Sequence, residues 1–271
     1  MSLAGRPPAI IHCFQNWTRG RGDFVARPLE VATENGAIPM VSWEPWPGPL
    51  RPIVDGERDA YIRRYATGAA AFGAPLLLRF AHEMNLRGIP WSESVELYRS
   101  AYRHVHAIFD EVGAGNVRFV WSPYVLGRNA TQFVSYYPGD EFVDWLALDG
   151  YNWGRRRWRN RWATFDAIFA ESYRAMLDLA PAKPLMLAEV GCAARGGDKA
   201  AWMRDALLDA IPERYPAIRA VVWFNQNRLD HADWRIDSSP EALAVWRQAA
   251  ADPRYSLTGT ELLDAGRGAG A

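Results

Sequence analysis

Lysine is nearly absent from this chain of 271 residues: of 31 basic side chains only Lys183 and Lys199 are lysine, and the rest are arginine. Surplus charge is lacking too, because 31 acidic residues balance the basic ones. A neutral chain has no electrostatic footprint for nucleic acid or an anionic membrane, so neither is expected as a partner. Cysteine is scarce. Cys13 and Cys192 alone make neither a disulfide framework nor a metal site, and each ends an apolar run where a buried free thiol is expected. No stretch approaches the roughly 20 apolar residues of a membrane-spanning helix. The segment Met1 to Pro8 lacks the hydrophobic stretch of a signal peptide, so no export signal is expected in the chain as written.

Aromatic and apolar residues are what the chain has in quantity. Apolar residues make up 49%, enough for a large core, and 13 are tryptophan. Several aromatics fall at the ends of apolar runs, where flat rings suit the C–H faces of sugars as well as they suit a core. Those runs are 9–14, 37–43, 75–80, 117–121, 145–151, 184–190 and 218–224, each of a buried strand's length. Helical spacing alternates with them over 56–72, 92–112, 164–179, 198–210 and 240–249. Ser92 is the expected N-cap of the second helix and Gly113 its stop. Alternation of this kind predicts a parallel sheet with crossover helices, and the length suits one (β/α)₈ barrel. Seven candidate strands fall one short of eight. A single domain over 1–257 is expected, with a disordered tail over 258–271.

Two of the runs end on glutamate. Pro75 to Phe80 leads into Ala81-His82-Glu83-Met84-Asn85, and Pro184 to Ala188 leads into Glu189-Val190-Gly191. Barrel enzymes keep their chemistry at the C-terminal ends of the strands, and two carboxylates there are what glycoside hydrolysis requires. One must be protonated to give its proton to the leaving oxygen. The other must be ionised to attack the anomeric carbon or activate water. Glu44 also follows a strand and competes for either role. Trp43 and Trp46 beside it are candidates to extend a sugar cleft, with hydrophobic cover the alternative.

Arg79-Phe80-Ala81-His82-Glu83-Met84-Asn85 resembles the acid/base motif of glycoside hydrolase family 26, the β-mannanase family of a retaining (β/α)₈ clan. Trp121-Ser122-Pro123, Asp144-Trp145, Asp149-Gly150-Tyr151, Lys183 to Gly191, Trp223-Phe224-Asn225 and Asp233-Trp234-Arg235 follow in the family's order. The resemblance implies a retaining endo-glycosidase of a β-linked polysaccharide, mannan-like or glucan-like, needing no cofactor or metal. It implies Glu83 as acid/base and Glu189 as nucleophile, with the carboxyls about 5–5.5 Å apart. It further implies that His82 bounds the subsite beside the acid, that Asn85 braces the following loop, and that Tyr151 donates a hydrogen bond to the nucleophile. Trp223 matches the platform under the cleaved sugar, and Trp91 and Trp153 are expected to shape the substrate cleft. Relatives carry a strand before 9–14 and are secreted, which would apply here if the chain were truncated at its start.

The chain departs from the family after the motif. Leu86 stands where relatives have glycine and Gly88 where they have tryptophan, which leaves the sugar open. This altered loop also keeps a second class in play, a non-catalytic carbohydrate-binding or polysaccharide-assembly protein on the same scaffold. The run Arg155-Arg156-Arg157-Trp158-Arg159-Asn160-Arg161 follows Tyr151 and is read either as a clamp for uronic-acid carboxylates or as a solvated loop. Oligomeric state is not legible.

Overall fold

The computed structural model describes residues 3–18, 24–127, 130–155, 161–228, 232–257 and 261–262. The expected tail lies almost entirely outside them. The chain divides into two compact units, Ala9–Ala147 and Met1–Pro8 with Leu148–Ala271.

In the first unit β1 (Ile10–Asn16), β2 (Ile38–Glu44), β3 (Leu76–Phe80) and β4 (Val117–Trp121) hydrogen-bond in chain order, all parallel, and β4 pairs with the start of β5 (Trp145–Asn152). The crossovers are α1 (Arg27–Glu34), a short α2 (Arg51–Val54) with α3 (Asp59–Phe72), and α4 (Val95–Val112). β3 is buried along its whole length, which is why it reads as an unbroken apolar run rather than an alternation. Among the described residues β1 pairs with a strand on one side only and is less covered, with Phe14 41% exposed.

The second unit continues β5 into β6 (Leu185–Cys192) and β7 (Ile218–Trp223), with α5 (Phe165–Leu179), α6 (Lys199–Arg204) and α7 (Pro240–Ala251). β6 is buried at all 8 positions. A small antiparallel hairpin, β8 (Asn227–Arg228) with β9 (Ala232–Asp233), follows β7. Seven parallel strands alternating with helices are the (β/α)₈ class short of one strand, as the sequence implied; among the described residues no eighth strand joins the sheet.

Three expectations need correcting. α4 starts at Val95, not near Ser92: Ser94 Oγ accepts from Leu97 N at 3.3 Å, and Ser92 lies in a 3₁₀ turn opened by Pro90. The helix predicted over 198–210 is α-helical only through Arg204 and then widens to a π-helix over Asp205–Arg214, which contains Pro212. A proline there lacks the N–H that regular α spacing would use. Cys192 is buried, but Cys13 is only half-buried because it sits on β1. Burial nevertheless pushes the Cys13 thiol up to about 11, so it stays protonated at neutral pH. Gly113 does end α4, at φ 77°, the left-handed value that favours glycine.

The corrected cap is testable. Ser94→Ala is expected to lose about 1 kcal/mol in urea unfolding. Ser92→Ala should stay within about 0.5 kcal/mol; the reverse order would restore Ser92 as the cap.

Candidate active site

The first unit presents Glu83 on a tightly tied turn. Past β3 the chain enters left-handed backbone at Ala81 (φ 47°) and again at Glu83 (φ 55°), positions where side chains cost energy and which concentrate at functional sites. Neighbouring strands hold the turn. Ala81 N donates to Trp43 O at 3.2 Å, and Glu83 N donates to Ser122 O at 2.7 Å, just past β4. The Glu83 side chain is half-buried.

Asn85 supports that turn from behind. Its Oδ1 accepts from Tyr124 N at 2.8 Å, and its Nδ2 donates to Tyr124 O at 2.8 Å and Thr131 O at 3.1 Å. At 1% exposure it braces the loop and has no surface left for sugar. Trp91 is also 1% exposed, and its Nε1 donates to His82 O at 2.7 Å. It fixes the backbone next to Glu83 and packs edge-on against Trp46. Both residues therefore act on the loop rather than on a ligand, which narrows the substrate-binding role expected of them.

His82 is nearly buried, and burial, then the charge of Arg79, then His12, hold its pKa well below the ordinary histidine value. It is a neutral ring. Arg79 is fully buried within β3, its Nε donating to Ser42 Oγ at 2.8 Å, and Ser42 Oγ lies 2.7 Å from His12 Nε2. Sequence reasoning assigned this Arg79–Ser42–His12 cluster no role. The signal was available in one arginine inside an otherwise apolar strand.

Trp43 requires a correction. It is 1% exposed, stacked on Tyr65 at 4.2 Å and edge-on to Phe109 at 6.0 Å. It is core, not cleft. Its neighbour Glu44 ends β2, with its carbonyl accepting from Trp17 N and Trp46 N.

The second unit presents Glu189, 5% exposed, the fifth of the eight residues of β6. Tyr151, at the end of β5, donates its phenol proton to Glu189 Oε2. The Tyr151 ring is packed by Trp234 at 4.9 Å, Trp153 at 5.5 Å and, edge-on, Phe224 at 5.8 Å. Gly191 makes room for them: a methyl there would meet Trp234 Cε3 at 3.0 Å and Tyr151 Cδ1 at 3.1 Å. Trp223 keeps 8% exposure and its Nε1 donates to Trp234 O at 2.6 Å. Trp234 and Gly191 were quoted in the motifs but given no role, since only tertiary contact shows what they hold. Arg155 and Arg161 are exposed, while the middle of the arginine run, 156–160, lies outside the described residues. Among the described residues no group of three or more His, Cys, Asp or Glu is placed to hold a metal ion.

Each unit thus carries a glutamate on or just past a parallel strand, one turned on a strained backbone and one held by a phenol. The chain belongs to glycosyl hydrolase family 26, whose sequence pattern matches residues 62–210. It is 40% identical over 258 residues to Endoglucanase H of Acetivibrio thermocellus, covering 91% of this chain and 28% of that protein. It is 28% identical to a mannan endo-1,4-beta-mannosidase of Bacillus subtilis over 60% of this chain and 44% of that one. The chain thus spans less than half the length of these relatives. In fold it is similar to the catalytic domain of an endo-beta-1,4-mannanase from Bacillus sp. JAMB-750, with a TM-score of 0.71 at 22% identity, covering 96% of this chain and 80% of that one.

Trp43→Ala is expected to cost about 3–5 kcal/mol in denaturant unfolding and to leave the KM for oligosaccharide unchanged under folding conditions. Weakened sugar binding in a variant of undiminished stability would return Trp43 to the cleft.

Proposed function

We propose that this protein is a retaining endo-glycosidase of a β-linked glucan, with Glu83 as acid/base and Glu189 as nucleophile. The observation that carries the reading is the hydrogen bond from Tyr151 to Glu189. The phenol fixes the orientation of the Glu189 carboxyl on β6, and a nucleophile must be held in the geometry of attack. Glu83 is half-buried on a turn tied by backbone bonds, and keeps the access to solvent that a proton donor must have to be recharged.

In the first step Glu189 attacks the anomeric carbon. The glycosidic C–O bond breaks and Glu83 gives its proton to the departing oxygen, leaving a glycosyl ester on Glu189. In the second step Glu83, now a carboxylate, takes a proton from water as that water attacks the same carbon. Glu189 is released and the configuration retained. His82, as a neutral ring beside the acid, places no competing charge there. Trp223 and Trp153 supply aromatic surface for the sugar.

Glucan is preferred over mannan because the 40% identical relative is named an endoglucanase, whereas the mannosidase relative is 28% identical. Leu86 and Gly88, where the loop leaves the family pattern, are the residues to which the difference is attributed. A polysaccharide substrate also fits an exported enzyme, and export of the full-length protein is part of this proposal.

Glu189→Ala should lower turnover about 10⁴-fold or more, with azide restoring part of it by attacking in place of the carboxylate. Glu83→Ala should lose about 10²–10⁴ on glucan and much less on a dinitrophenyl glycoside, whose leaving group needs no proton. Full activity in Glu189→Ala would sink the assignment. Binding of glucan by folded wild type without release of reducing ends would favour the non-catalytic reading.

A further inference from the structure

Lys199 is one of two lysines in the chain, and its environment is unfavourable to it. It is 5% exposed, at the first position of α6, where the helix dipole disfavours a cation. Its Nζ donates to Arg235 O at 2.7 Å and Asp233 O at 3.4 Å, and lies 5.9 Å from the centre of the Trp223 ring. Between those two carbonyls is Trp234 O, which accepts from Trp223 Nε1 at 2.6 Å. Three consecutive carbonyls leaving β9 are therefore gripped by one ammonium and one indole, with Ala194 N also donating to Asp233 O at 3.0 Å. The residue in the middle, Trp234, carries the ring packed on Tyr151, and Tyr151 is the donor to Glu189.

We propose that Lys199 is a positioning residue for the nucleophile: its ammonium fixes the backbone of Asp233 to Arg235, which seats Trp234 against Tyr151 and so holds the phenol on Glu189. The inference rests on the assignment of Glu189 as nucleophile. Stability offers a poor reason for this lysine, since a buried cation at a helix N-terminus is costly. The groups facing it are Cys192 on β6, Asp233 and Asp237 as acids, and Arg235 as a like charge. Arg235 is turned to Asp233, with a 2.8 Å ion pair. Burial holds Lys199 down to about 8, so its charge is lost within the working range of an enzyme.

The test follows kcat and KM against pH for wild type, Lys199→Met and Lys199→Arg on 2,4-dinitrophenyl β-cellobioside, a substrate that does not need the proton of Glu83. Wild-type kcat should fall as pH rises through about 8. Lys199→Met should be slower by about 10- to 100-fold at neutral pH, with KM little changed and no such fall. Lys199→Arg, which stays protonated, should recover most of the rate and carry it at least about one pH unit higher. Tryptophan fluorescence read without substrate should show the same transition in wild type and lose it in Lys199→Met. Profiles for Lys199→Met parallel to wild type, or a fluorescence transition that survives the substitution, overturn the proposal. Failure of the nucleophile assignment is read separately, as covalent labelling by a 2-fluoro glycoside at a carboxylate other than Glu189.

Discussion

The second unit is arranged around one constraint, a carboxylate held out of water. Glu189 lies within a strand buried along its whole length, where a polar group left unsatisfied would cost about 1–3 kcal/mol. Tyr151 satisfies one of the Glu189 oxygens with a hydrogen bond, but only if the phenol is held in place. A tyrosine at a strand end has two free torsions, and here they are filled by packing: Trp234 and Trp153 on the ring and Phe224 on its edge. That packing requires Gly191, because any β-carbon there would press on both rings. One buried carboxyl thus goes with a glycine on β6, a tyrosine on β5, and aromatics that follow β5, β7 and β9.

The first unit solves a different problem with different means. Glu83 is not walled in by rings; its place is set by backbone. Two left-handed residues turn the chain sharply after β3, and the bonds to Trp43 O and Ser122 O keep the turn from relaxing. Asn85 and Trp91 then anchor the next stretch, one through three side-chain hydrogen bonds and the other through His82 O. A group that must both give and take a proton benefits from a fixed backbone and an accessible side chain. A group that attacks carbon benefits from a fixed side chain. The contrast between the two glutamates suits the acid/base and nucleophile roles proposed for them.

How much of this was legible depended on whether the cause lay close in sequence. Strand positions were, because β3 and β6 are buried throughout, and β2 up to Glu44, and they read as apolar runs. The glutamates were, because they interrupt or follow those runs. The pairing of Tyr151 with Glu189 came only through family order, since 38 residues separate them and nothing local links a phenol to a carboxylate. Trp43 misled because a tryptophan at a strand end is compatible with sugar or with core, and only Tyr65 and Phe109, from α3 and α4, decide. Ser92 and Ser94 both resemble caps; Pro90 decides between them by starting its own turn. Lys199 was invisible for the same reason as Trp234: its partners are carbonyls, which every residue has.

Among the described residues some departures from local rules gather near the proposed catalytic residues, while the π-helix with Pro212 lies elsewhere. The strained backbone lies at Ala81 and Glu83, the fully buried guanidinium at Arg79 a few residues earlier, and the disfavoured ammonium at Lys199 against the segment that carries Trp234. Each costs on the order of 1–3 kcal/mol, against a total stability of about 5–15 kcal/mol for a typical domain. A sequence free to replace them with well-packed apolar residues would gain by doing so. Strain spread evenly would suggest a poorly adapted fold. Strain gathered beside the proposed catalytic residues is instead what geometry held at the expense of stability would produce.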